Sequence, residues 1–152
     1  MLLVAAIAAG CAAYSGAGLV AGVATEAEVE KAMGPSADRR QRGGETIRFY
    51  SRLPAGREVY AARFGADGKL IAIEQRLTRE NADKLVRRQS TTDDVRDLLG
   101  PPYRTFDFPR LGTQVWLYPM AYGATRQILN VEFTRDGRVH DVLLTEDLVD
   151  PN

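Results

Sequence analysis

The sequence contains two similar segments in tandem, and this internal repeat limits the possible folds more than any other feature. Three pairs of segments align in the same order: residues 25–35 with 91–101 at an offset of 66, residues 49–50 with 117–118 at 68, and residues 63–70 with 132–139 at 69. A period near 66 residues is too long for a solenoid unit and indicates a small domain copied in tandem. We therefore expect two units, residues 19–78 and residues 79–152.

Each unit is expected to begin with a short amphipathic helix. Thr25 and Thr91 are typical N-cap residues, and acidic residues follow them where the helix dipole favours negative charge. Gly34-Pro35 and Gly100-Pro101 then stop the helices, because glycine tolerates left-handed geometry and proline cannot continue the turn. A further short helix is predicted over residues 78–85.

Strands with apolar and polar residues in alternation follow each helix. The predicted strands cover residues 46–52, 58–64 and 69–77 in the first unit, and residues 103–108, 114–119, 126–134 and 138–144 in the second. Asp67-Gly68 and Asp136-Gly137 are hairpin signals at matching places. The expected fold class is α+β, with two tandem ααβββ(β) units whose short helices pack on one face of antiparallel sheets.

The N-terminal residues have the pattern of a targeting segment. No charged residue precedes Glu26, and a short apolar run ends in Ala8-Ala9-Gly10 directly before Cys11. These residues resemble the lipobox of bacterial lipoproteins, which implies a signal peptide over residues 1–10, a lipidated Cys11 and a tether over residues 11–18. The alanines after Cys11 imply, by the same resemblance, an outer-membrane location facing the periplasm. The alternative is a small buried cysteine in an alanine-rich helix.

Composition excludes several classes of function. Twenty basic and 20 acidic residues give a net charge of zero, which argues against nucleic-acid binding because that depends on neutralising phosphates. One cysteine and one histidine leave no disulfide framework and little material for a metal site or a catalytic triad. No acidic pair or serine occurs in a recognisable catalytic context. We therefore expect a protein that is not an enzyme, with no cofactor, no metal and no small-molecule substrate.

The repeated motifs carry a family resemblance. The pattern of threonine, valine and Gly-x-Pro, followed by an aromatic strand and by Phe-x-x-Asp-Gly, is similar to the SmpA/OmlA (BamE-like) domain of outer-membrane lipoproteins. The second unit matches best, through Gly100-Pro101-Pro102, the strand at residues 115–118, and residues 131–137. The tandem arrangement resembles that of the β-lactamase inhibitor proteins, whose disulfides this chain cannot form.

The resemblance implies a function as well as a fold. It implies a non-catalytic, lipid-anchored periplasmic lipoprotein that acts as an accessory or scaffold in outer-membrane β-barrel protein assembly or envelope integrity. Its partner would then be a protein, such as a component of the β-barrel assembly machinery. The alternative is a tandem-repeat inhibitor or sensor that binds a periplasmic enzyme or peptide between the units.

Two groups of side chains are candidates for binding. The aromatic residues that could form a protein-binding face are Tyr50, Tyr60, Trp116, Tyr118 and Tyr122. The alternative for each is that it fills the layer between helices and sheet. The basic residues that could contact anionic lipid headgroups, from a loop ending in Gly43-Gly44, are Arg39, Arg40 and Arg42. The alternative is that these arginines lie in a solvent-exposed loop and do not contact lipid.

Overall fold

The computed structural model describes residues 15–147, without the side chain of Tyr122. The predicted signal peptide, Cys11 and residues 12–14 of the predicted tether lie outside the described residues. No helix within residues 15–147 has the length and apolar character needed to cross a membrane.

The described residues form three helices and eight strands. In chain order these are α1 (Glu26–Met33), β1 (Asp38–Arg42), β2 (Glu45–Ser51), β3 (Val59–Phe64), β4 (Leu70–Gln75), α2 (Arg79–Ala82), α3 (Thr92–Leu99), β5 (Arg104–Phe108), β6 (Thr113–Tyr122), β7 (Thr125–Phe133) and β8 (Val139–Glu146). Strands β1 to β4 make one antiparallel sheet, sheet 1, in chain order, and β5 to β8 make a second, sheet 2, in the same way. Each sheet therefore follows one eight-residue helix, and the connections are the short hairpins of a meander.

The predicted fold class of two tandem ααβββ(β) units is wrong. The fold is mostly antiparallel sheet, and each half has four strands. Within residues 15–147, the first half contains one helix, α1, and the helix that the second half has in addition to α3, namely α2, is four residues long. The additional strand in the first half is β1. Its sequence, DRRQR, lacks the alternation of apolar and polar residues that is typical of a strand, so the sequence predicted a basic loop there. It is a strand because its backbone pairs with β2 from Asp38↔Phe49 to Arg42↔Glu45.

The two long helices begin and end as the sequence predicts. The side chains of Thr25 and Thr91 accept hydrogen bonds from the backbone N–H groups of Glu28 and Asp94, whose carboxylates accept hydrogen bonds from the two threonine N–H groups. These are reciprocal capping boxes. Both helices end at glycines with positive φ.

Two hydrophobic cores lie on the two faces of sheet 1. The core between α1 and sheet 1 contains Ala24, Val29, Met33, Tyr50, Ala62, Phe64 and Leu70. The larger core gathers α2, α3, the other face of sheet 1 and one face of sheet 2, including Phe49, Val59, Val95, Leu99, Tyr118, Val131 and Phe133. The layers therefore follow the order α1, sheet 1, α3 with α2, sheet 2. Sheet 1 is covered on both faces, and the single covered face that alternation predicted is found only in sheet 2.

The capping box at α3 predicts a specific pH dependence. Hydrogen bonds from the backbone and side chain of Thr91 hold the pKa of Asp94 below its usual value of 3.8. A carboxyl group with a lowered pKa contributes stability above its unfolded pKa and loses it as the pH falls through the folded pKa. We expect NMR titration to give a pKa below 3.8 for Asp94, and Asp94→Asn to reduce the loss of stability in acid. A pKa at or above that value would contradict this account.

Candidate functional site

Four of the five aromatic residues singled out by the sequence lie in the two cores, and the side chain of the fifth, Tyr122, lies outside the described part of the structure. Tyr50 is 3% exposed and faces α1, and Tyr60, opposite it on β3, is half-buried against the same core. Trp116 and Tyr118 lie on the covered face of sheet 2, where the Tyr118 hydroxyl donates a hydrogen bond to the carbonyl of Gly100 at 3.1 Å. Burial raises the pKa of both Tyr50 and Tyr118. The structure thus divides these four side chains between two interiors and brings no set of them together on an accessible face.

Two of the three predicted lipid-contacting arginines face α3. Arg40 lies 2.8 Å from a carboxylate oxygen of Asp93 and 3.3 Å from one of Asp97, and Arg42 also pairs with Asp97. Arg39 is exposed and points to the opposite face of β1, since side chains alternate along a strand. The basic segment is therefore part of the contact between the two halves.

Two further contacts complete the interface between sheet 1 and α3. Arg96 on α3 lies 3.5 Å from the carboxylate of Asp38 at the start of β1. At the end of α3, Gly100 fits so closely that an added Cβ would lie 2.5 Å from Val59 Cγ1 and 3.0 Å from Phe49 Cδ1. Ion pairs with β1 and a close backbone approach to β2 and β3 thus hold α3 against the face of sheet 1 that carries Phe49 and Val59, which we call the back of sheet 1.

The corresponding face of sheet 2 has no helix on it in the described residues. Strand pairing puts seven large apolar residues on this face, which we call the open face, together with the polar Asn130 and Glu132. The apolar residues are Phe106, Phe108, Val115, Leu117, Pro119, Ile128 and Leu143. Phe106 is 43% exposed, Phe108 45% and Leu143 51%. An exposed apolar cluster on one sheet face is a feature of binding surfaces.

A groove of about 480 Å³ lies at one end of the open face. Its apolar part is formed by Leu117, Pro119 and Ile128 with Pro54 and Ala55 of the loop between β2 and β3. That loop is fixed by Arg57, which pairs with Asp147 and donates a hydrogen bond to the Gln127 carbonyl.

Two cations besides Arg57 line the same groove, which also contains Asp147. Within residues 15–147, Arg104 and Arg126 form no ion pair with a carboxylate, and the guanidinium of Arg104 lies 5.1 Å from the centre of the Tyr103 ring. The groove therefore combines apolar side chains with two arginines that can donate hydrogen bonds to acidic groups of a partner. No group of three or more metal-ligating side chains occurs among the described residues. The arrangement is suited to binding an amphipathic surface.

The open face was not among the binding surfaces predicted from the sequence, because that prediction used only tyrosine and tryptophan residues. The signal was nevertheless present in the repeat. At the repeat offset of 66, Phe106 and Phe108 occupy the positions of Arg40 and Arg42. A change from arginine to phenylalanine at two alternate positions of an exposed strand marks an apolar surface.

No family model and no curated protein matches the sequence. Among solved structures, the chain is similar to a DUF4309 family protein, YjgB from Bacillus subtilis, with 19% identity over 86% of this chain and 84% of that chain. The TM-score of 0.34 is too low to support an argument about fold or function. The resemblance to the SmpA/OmlA domain therefore stays a prediction.

Proposed function

We propose that this protein is a non-catalytic assembly protein that docks an amphipathic helix of a partner protein on the open face of sheet 2. One observation carries the proposal. The face of sheet 1 that carries Phe49 and Val59 is covered by α3, whereas the matching face of sheet 2 leaves the apolar side chains of Phe106, Phe108 and Leu143 exposed.

The chemistry of the partner helix follows from the residues that would receive it. Phe106, Leu117 and Ile128 require a helix that places small or apolar atoms against them and buries no unpaired charge there. Arg104 and Arg126 favour acidic residues beside that contact, because opposite charges at the edge of an interface set orientation and speed association. In sheet 1 the same kind of partner, α3, uses Val95 and Leu99 towards sheet 2 and acidic residues towards β1.

The proposal includes the membrane setting that the sequence predicts. A lipid on Cys11 would hold the open face beside the outer membrane and raise its local concentration near other envelope proteins. There it would serve as an accessory or scaffold protein in β-barrel assembly or envelope integrity. Support for this setting comes from the lipobox-like residues 8–11 and the motif resemblance alone.

Site-specific photo-crosslinking in intact cells tests the docking face. A benzophenone side chain at Phe106 is expected to give a discrete protein adduct whose linked peptide, mapped by mass spectrometry, has the apolar spacing of an amphipathic helix. Adding Leu143→Asp on the same face should reduce the yield about tenfold, because an unpaired charge cannot be buried in an apolar interface.

The matched control is the same probe at Thr105. Thr105 neighbours Phe106 on β5 but pairs with Trp116 on the opposite side of the sheet. Equal labelling from both positions, or no adduct from Phe106, would contradict the proposed function.

A further inference from the structure

The contacts between α3 and sheet 1 have counterparts at the two outer surfaces of the described residues. The helix side of these contacts is α3, and its counterpart is α1, because residues 26–34 align with 92–100 at an offset of 66. The sheet side is the back of sheet 1, and its counterpart is the open face, with β1 aligned to β5 at the same offset. The contacts that α3 makes with β1, β2 and β3 can therefore be rewritten as contacts between α1 of one copy and the open face of another; those of α2 are not included.

The ion pair between Asp38 and Arg96 is preserved with its signs exchanged. The counterpart of Asp38 is Arg104, and the counterpart of Arg96 is Glu30. Glu30 has 49% of its side chain exposed and lies 2.9 Å from Arg48 of its own unit. Arg96 occupies the same kind of position, with its guanidinium 5.3 Å from the centre of the Trp116 ring and its other side towards Asp38. A basic and an acidic residue thus face each other in both versions of the contact.

The two ion pairs between arginines of β1 and aspartates of α3 are both replaced by other residue pairs in the counterpart contact. The pair of Arg40 with Asp93 corresponds to Phe106 with Ala27, which is a contact between two apolar side chains. The pair of Arg42 with Asp97 corresponds to Phe108 with Lys31, in which an ammonium group can lie against an aromatic ring. Ala27 and Lys31 are both exposed on α1. Neither substitution leaves a charge facing an equal charge.

The close approach at the end of the helix has its counterpart too. Gly100 touches Phe49 and Val59, which correspond to Leu117 and Ile128 in the groove of the open face. Gly100 itself corresponds to Gly34, where an added Cβ would meet no described atom within 4 Å. The groove therefore lies where the end of α1 would enter.

From this set of matched contacts we infer that the partner helix is α1 of a second copy of this chain. The inference rests on the proposed docking function and names its occupant. Copies associate head to tail, with α1 of one on the open face of the next. Such an interface is heterologous, so it produces rings when the rotation closes and open rows of copies when it does not.

Charge exchange across the contact tests the inference in the full chain carrying Cys11→Ser. Sedimentation velocity should show an average mass that rises with concentration above the 16.7 kDa of one copy. Glu30→Arg and Arg104→Glu should each weaken self-association about tenfold, because each places like charges together. Both substitutions in one chain should restore association to within about threefold of the parent, since the pair is then re-formed in reverse.

A matched control and two outcomes make the test decisive. Glu80→Arg reverses an exposed acidic residue on α2, outside the proposed contact, and should leave association unchanged. A protein that stays monomeric at every concentration, or a double variant no stronger than the singles, overturns the inference. If the Phe106 probe then labels a helix of a different protein, the docking function survives without self-association. If it labels nothing, the docking function fails as well.

Discussion

Gly100→Ala is expected to lower the free energy of unfolding by about 4 kcal/mol. About 2 kcal/mol comes from the backbone, because φ of 82° with ψ of −168° is a conformation almost restricted to glycine. About 2 kcal/mol more comes from overpacking, since the new methyl group would lie 2.5 Å from Cγ1 of the fully buried Val59. Urea denaturation followed by circular dichroism measures the loss.

Gly34→Ala is the control that separates the two effects. Gly34 has nearly the same backbone, with φ of 87° and ψ of −172°, but an added Cβ meets no described neighbour within 4 Å. The expected loss is therefore about 2 kcal/mol, the backbone part alone, in solutions dilute enough to keep the protein monomeric. Equal losses for the two variants would show that the contact of Gly100 with sheet 1 is not formed.

Phe49→Ala is expected to cost about 4 kcal/mol, because Phe49 is fully buried between sheet 1 and α3 and its removal leaves a cavity. Its repeat counterpart Leu117 faces the groove and is half-buried, so Leu117→Ala should cost only about 1 kcal/mol in the monomer. Chemical denaturation of both variants gives the comparison. A Leu117→Ala loss as large as that of Phe49→Ala would mean that the open face is covered in solution, contrary to the layer order described above.

Local signals in the sequence were sufficient for most of the helices and strands. Thr25 and Thr91 cap helices, and Leu129, Val131 and Phe133 point into one core, because capping and alternation depend on residues close together in the chain. The strand β1 could not be recognised in this way. Its charged side chains become compatible with a strand only when β2 pairs with its backbone and α3 supplies Asp93 and Asp97. Those partners are distant in the sequence.

The candidate site was harder to predict for a related reason. Whether an aromatic side chain fills a core or forms a surface depends on which sheet face is covered, and that is decided by the stacking of the two halves. Tyr118 and Trp116 lie on the covered face of sheet 2, whereas Phe106 and Phe108 lie on the other. Alternation along a strand identifies two faces but does not say which of them a second layer will cover.

The layers α1, sheet 1, α3 and sheet 2 are stacked in one direction, and this order affects what a further gene duplication would require. A further duplication would supply a third helix and sheet without requiring any new kind of interface, because the surface that would receive it already has the layout used once within the chain. Only side chains at the junction would need to be adjusted. The stack could therefore lengthen by one helix and sheet at a time, with each new sheet paired within itself as sheets 1 and 2 are.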